Sequence, residues 1–236
     1  MRKLSLKLLL MLMLLLAFAP RALAQDEAGP QFKMPCQQVL KLGQSKFIDL
    51  YGEKTNDYST YGMKQAFGYY ADCKRADNDT RAKRLTAERR KQVDEVREAL
   101  SKLGNAGWNM RYVAAGGGTM WGLASVGAYA EREDYMGVVI AAFTMPEKKN
   151  PIARRRANAS IKRARALLAR HSRTPELEFA SPEELPQQRQ IYQESVKEAR
   201  QASAQLQALI LALPDAPAER AAKRMVDELD AALSNN

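Results

Sequence analysis

The stretch IYQESVKEARQASAQLQALILALPDAPAERAAKRMVDELDAAL, Ile191 to Leu233, decides the fold class. In its first half Tyr192, Val196, Ala199, Ser203, Leu206, Ile210 and Leu213 follow one another at spacings of 4, 3, 4, 3, 4, 3. After PDAP, Ala218, Ala222, Met225, Leu229 and Ala232 repeat the spacings 4, 3, 4, 3. Residues three and four apart share one face of an α-helix, so each half is a helix with a narrow, coiled-coil-like apolar stripe. Two such helices joined by a four-residue turn predict an antiparallel helical hairpin.

Working back towards the N-terminus, SRTPELEFASPEELP, Ser172 to Pro186, changes composition and reads as a linker. In it Ser181 and Glu184 form a capping box with Pro182 at the first helical position. The division this implies is a leader over 1–24, a helical core over 25–173, and linker plus hairpin over 174–236.

Helical periodicity persists through the core. Asn150-Pro151 is a cap followed by a proline at N1 and opens a helix to about His171. Thr119 to Phe143 is apolar and rich in small residues; VVIAAF within it could be a strand, but no other segment offers it a partner. Thr80 to Leu103 aligns Leu85, Val93, Val96, Leu100 and Leu103 and is expected to stop at Gly104. Thr60 to Arg75 is a shorter helix, and Val39, Leu40, Phe47 and Leu50 predict a first one from Met34, with Pro35 near its start. The class is therefore all-α, and no repeat of fixed period suggests a solenoid.

The first 24 residues place the chain in the cell. Arg2, Lys3 and Lys7 precede an apolar run from Leu8 to Ala19, and Ala22-Leu23-Ala24 matches a small-x-small cleavage site. A run of 12 residues falls short of a bilayer span, so it reads as a cleaved secretory signal, giving a periplasmic or secreted protein with no transmembrane span after cleavage. The residue directly after the cleavage site is Gln25, not a cysteine that could take a lipid. Cys36 and Cys73 are the two cysteines, and an even pair in an exported chain predicts a disulfide. It joins the expected first and second helices as an antiparallel pair. Removal of the signal lowers the 37 Lys and Arg to 33 against 27 Asp and Glu, a moderately basic net +6.

Materials for catalysis are sparse. His171 is the one histidine, and with both cysteines bonded there is no nucleophile triad, no zinc spacing and no expected metal or cofactor. AAGGGTMWG, Ala114 to Gly122, lacks the GxxxxGK[ST] of a phosphate loop. Its three glycines read instead as a chain reversal capped by Thr119, with Gly122 and Gly127 admitting a close neighbouring helix. Glu131, Glu133 and Asp134 are the one acidic cluster that could serve a glycan hydrolase, the alternative function.

Two surfaces suit a binding protein better. Lys148 to Arg173 holds ten Lys or Arg and no acid, with Arg154, Arg155, Lys162, Arg163 and Arg165 opposite an Ala/Ile/Leu stripe. Guanidinium groups there fit carboxylate and phosphate. Between Tyr51 and Tyr70, tyrosines including Tyr58, Tyr61 and Tyr69 are interleaved with glycines and polar residues, a composition suited to stacking on sugars or anchoring a protein. The expected function is an exported, non-enzymatic accessory, inhibitor or adaptor engaging an envelope protein, glycan or anionic surface. The export signal and the absence of a known module disfavour nucleic acid.

Overall fold

The computed structural model describes residues 32–114, 119–146, 148–170 and 182–233, with the backbone alone for 119–124. The leader 1–24, the glycine run 116–118, His171 and Ser181 lie outside the described residues. Eight α-helices and no strand are present among them: α1 Cys36–Leu42, α2 Gln44–Thr55, α3 Thr60–Ala82, α4 Ala87–Ala114, α5 Thr119–Phe143, α6 Pro151–Arg170, α7 Leu185–Ala212 and α8 Asp215–Leu233. The chain from Met34 onward forms one compact unit.

The hairpin is present, but its stripes do not mainly face each other. α7 lies along α4 and α8 along α6, while α7 and α8 touch more briefly. One continuous core results, joining Val93, Leu100, Leu103 and Met110 of α4 to Ile140 of α5, Leu206 and Ile210 of α7, and Met225 and Leu229 of α8. α8 touches α4, α5, α6 and α7. It is consequently buried around most of its circumference, including Ala221, Arg224, Val226 and Glu228 as well as its expected stripe. The turn is also tighter than PDAP suggests. Asp215 already begins α8, placing a carboxylate in the first turn, where the helix dipole favours it.

Helix boundaries depart from expectation at five points. The first helix is two, because Gly43 has φ 81° and interrupts the chain between α1 and α2. α3 runs seven residues past Arg75 to Ala82. Beyond Tyr70 it meets α5 through polar groups, so an apolar pattern cannot follow it. Lys74 pairs with Asp134 at 2.6 Å, Asn78 Nδ2 donates to Glu133 Oε2 at 2.9 Å, and an Arg81 N–H donates to the Gly137 carbonyl at 3.2 Å. Arg75, Asn78 and Arg81 meet Tyr129, Glu133 and Gly137 in that order, so α3 and α5 run parallel. α4 begins at Ala87, with Thr86 Oγ1 accepting from Arg89 N–H at 3.3 Å, and it continues through Gly104 to Ala114. α7 starts at Leu185, three residues after the expected Pro182, and Glu184 makes no side-chain cap bond. The α6 cap is as expected: Asn150 Oδ1 accepts from Ala153 N–H at 3.0 Å.

Around α1 to α3 a smaller apolar group forms. The Cys36–Cys73 disulfide, with Cα atoms 5.0 Å apart, holds the start of α1 against α3. Val39, Phe47, Tyr51, Ala66 and Tyr70 are buried nearby.

Candidate functional site

α4, α5 and α8, with Phe67 of α3 and Gln44 of α2, border an open cavity of about 930 Å³. Its aromatic wall is Phe67, Trp108 and Tyr129; Ser101 and Asn105 add neutral polar groups, and Arg132, Arg224 and Glu228 the charged ones. The close approach of α8 depends on glycine in α4. A Cβ on Gly107 would lie 2.8 Å from the Ala232 Cβ, and one on Gly104 would lie 3.0 Å from both Arg132 Cζ and Glu228 Oε2. Gly104, expected to end a helix, is instead the notch that receives this ion pair.

Glu228 Oε1 is shared by two guanidinium groups. Arg224 donates to it from Nη2 at 2.7 Å and from Nε at 3.0 Å, and Arg132 Nε lies 3.3 Å away. Arg224 Nη1 also donates to Glu131 Oε2 at 3.2 Å, and its Cζ sits 5.6 Å from the centre of the Tyr135 ring. The two cations differ electrostatically. Burial lowers both, but at Arg224 the attraction and hydrogen bonds of Glu228 and Glu131 outweigh it and raise the pKa. At Arg132 burial prevails over Glu228, assisted by repulsion from Arg224, and the pKa falls. Burial and the nearby Asp227 push the Tyr135 hydroxyl up to about 12, so it is a neutral phenol at physiological pH.

The acidic cluster of α5 diverges. Glu131 borders the cavity, buried Glu133 faces Asn78 and Arg97, and Asp134 meets Lys74. Only the first of the three is at the cavity wall. Among the described residues, no group of three His, Cys, Asp or Glu side chains is placed to hold a metal ion.

The basic helix proves to be largely engaged with the hairpin. Arg154 Nε donates to Asp215 Oδ1 at 2.6 Å, and its Nη2 donates to the Leu213 carbonyl at 2.6 Å. Arg156 meets Glu219 at 3.3 Å and Arg163 meets Asp230 at 2.5 Å, so α6 and α8 run parallel with opposite charges facing. Arg165 Nε donates to Gln207 Oε1 at 2.8 Å. Arg155 and Lys162 are exposed.

The tyrosines divide likewise. The Tyr69 hydroxyl donates to the Met34 carbonyl at 2.7 Å, with its ring 5.8 Å from that of Phe47. Tyr58 and Tyr61 remain 62% and 48% exposed. Gly127, expected to admit a neighbouring helix, has open space where a Cβ would stand and instead borders the cavity.

Sequence reasoning missed Arg224 and Glu228 because each stands one position before a stripe residue, Met225 and Leu229, and reads as a surface i,i+4 pair. The available signal was the small-residue series Ala218, Ala221, Ala222, which permits neighbours on more than one side of α8. No family model, curated protein or solved structure matches the chain.

Proposed function

We propose that this is an exported, non-enzymatic helical binding protein of the periplasm or extracellular space, acting as an accessory, inhibitor or adaptor through the α4/α5/α8 cavity, with an envelope glycan as partner. The observation that carries this reading is the joint presence of Trp108, Tyr129 and Phe67 with Asn105, Ser101 and Glu131 around one open space. Sugar rings present C–H faces to aromatic side chains and hydroxyls to the polar ones, and binding sites pair apolar walls with a few placed polar groups. The Arg132–Glu228–Arg224 group supports it further by holding the polar wall in place before a ligand arrives. Export rests on the basic, apolar and small-residue order of 1–24. The divergence of Glu131, Glu133 and Asp134 favours binding over hydrolysis.

The test is titration calorimetry of the purified protein with soluble peptidoglycan fragments and other envelope oligosaccharides, alongside Trp108→Ala and Asn105→Ala. Saturable binding lost in both folded variants supports the cavity. Absence of binding to every glycan fraction rejects the glycan reading, and release of reducing ends during the titration would favour the hydrolase.

A further inference from the structure

A second surface lies where the α5–α6 connection meets the α7–α8 turn. The two connections are tied together: Asn150 N–H donates to Asp215 Oδ2 at 2.8 Å, and Arg154 Nη1 donates to the Leu211 carbonyl at 3.4 Å. On this one end Met145 is 60% exposed, Ile152 62% and Leu211 55%. Single exposed apolar residues are ordinary, but three large ones at one end of a helical body are a patch. Pro146, Pro151, Pro214 and Pro217 border an open hollow of about 580 Å³ here, so the patch stands on stiff backbone.

The charge around it has one sign. Thr144 to Arg156 contains five Lys or Arg against one acid, Glu147. Two of those cations already have acids from α8, Arg154 with Asp215 and Arg156 with Glu219. Lys148, Lys149 and Arg155 are exposed, and none makes an ion pair with a described residue. The local excess of positive charge therefore belongs to the same end as the apolar projections.

We propose that this end docks on an anionic lipid surface, with Met145, Ile152 and Leu211 entering the headgroup boundary and Lys148, Lys149 and Arg155 meeting lipid phosphates. Apolar side chains combined with a basic rim are the two contributions that hold a protein at such an interface. Salt does not remove the first and strongly screens the second. The docking face lies apart from the α4/α5/α8 cavity and does not depend on what that cavity binds.

The experiment is vesicle flotation of the purified protein, its N-terminus established by mass spectrometry. Vesicles of phosphatidylglycerol and phosphatidylcholine are compared with phosphatidylcholine alone. Two variants, M145S/I152S/L211S and K148Q/K149Q/R155Q, carry the same N-terminus as wild type, so any lipid affinity of the leader cancels. Wild type is expected to float with the anionic vesicles, and each variant to lose about tenfold or more in partitioning at low salt. Hydrogen exchange on the vesicles should show new protection at 144–156 and 209–217. Equal flotation of variants and wild type, equal binding to neutral vesicles, no flotation at all, or protection confined to other residues would each overturn the proposal.

Discussion

Glu228 carries an unusual demand for one carboxylate, because Arg132 and Arg224 both depend on it inside the protein. Replacing it with Ala takes from buried Arg132 its ion-pair carboxylate and leaves buried Arg224 with the exposed Glu131, and removing one partner of a buried pair costs about 3–5 kcal/mol. Denaturant unfolding of Glu228→Ala should show a loss of that order, whereas Arg163→Gln, at an exposed pair, should stay within about 1 kcal/mol of wild type. Equal losses would mean that the shared carboxylate adds nothing to an ordinary surface contact. Two glycines give a parallel contrast. Gly107→Val drives a side chain into Ala232 and should cost about 1–3 kcal/mol by overpacking. Gly127→Ala meets open space, and alanine's better helix propensity should make it neutral or stabilising by up to about 1 kcal/mol. The sequence assigned these roles the wrong way round, Gly104 as a helix stop and Gly127 as the site of a close helix, because a glycine's role depends on what approaches it from another helix.

At the scale of elements, α6 supplies what the end of α7 lacks. The last turn of α7 has no basic residue, and its terminal carbonyls at Ile210, Leu211 and Leu213 accept from Arg154 instead. Unsatisfied carbonyls at a helix end require such a partner. Asp215 completes the joint, since the Asn150 backbone N–H and then the Arg154 guanidinium hold its carboxyl below the ordinary carboxylate range. A depressed folded-state pKa contributes stability above the unfolded value, about 3.9, and loses it as pH falls through the folded value. Acid titration of stability should therefore fall less steeply below about pH 4 in Asp215→Asn than in wild type. A matching acid limb in the two proteins would remove Asp215 from the joint. The basic run of α6 was visible in the sequence, but its use was not. Electrostatic pairing with α8 requires knowing that the helices are parallel neighbours, and 61 residues separate Arg154 from Asp215 along the chain.

For the whole molecule, the disulfide and the hairpin restrain different parts. Cys36–Cys73 closes the α1–α3 segment outside the main core, so its loss acts largely on the freedom of the unfolded chain. In the chain-entropy model a ring of this size is worth about 4 kcal/mol, and Cys36→Ala/Cys73→Ala should lose about that in denaturant unfolding under oxidising conditions. The hairpin acts on the core directly. A chain ending at 173 leaves Leu100, Leu103 and Met110 without Leu206, Ile210 and Met225. Such a fragment is expected to lose cooperative thermal unfolding and near-ultraviolet circular dichroism while keeping much of its helical signal. Retention of a sharp transition would show that residues up to 173 fold without the hairpin.

The sequence by itself determined the helical class, the disulfide and the α7–α8 hairpin, because 3.6-residue periodicity, an even cysteine pair and a proline-bearing turn are local or nearly local properties. It also marked the Asn150 cap, where a side chain bonds a backbone N–H only three residues away. Tertiary structure alone decided that α8 is central, that α3 extends along a polar seam with α5, and that Gly104 receives an ion pair. The cavity belongs to the same class of outcome: Trp108, Tyr129 and Glu228 come from three helices that meet only in the folded chain. Apolar periodicity reports how many faces a helix buries against hydrocarbon, and it is silent where neighbours meet through charge, backbone or empty space.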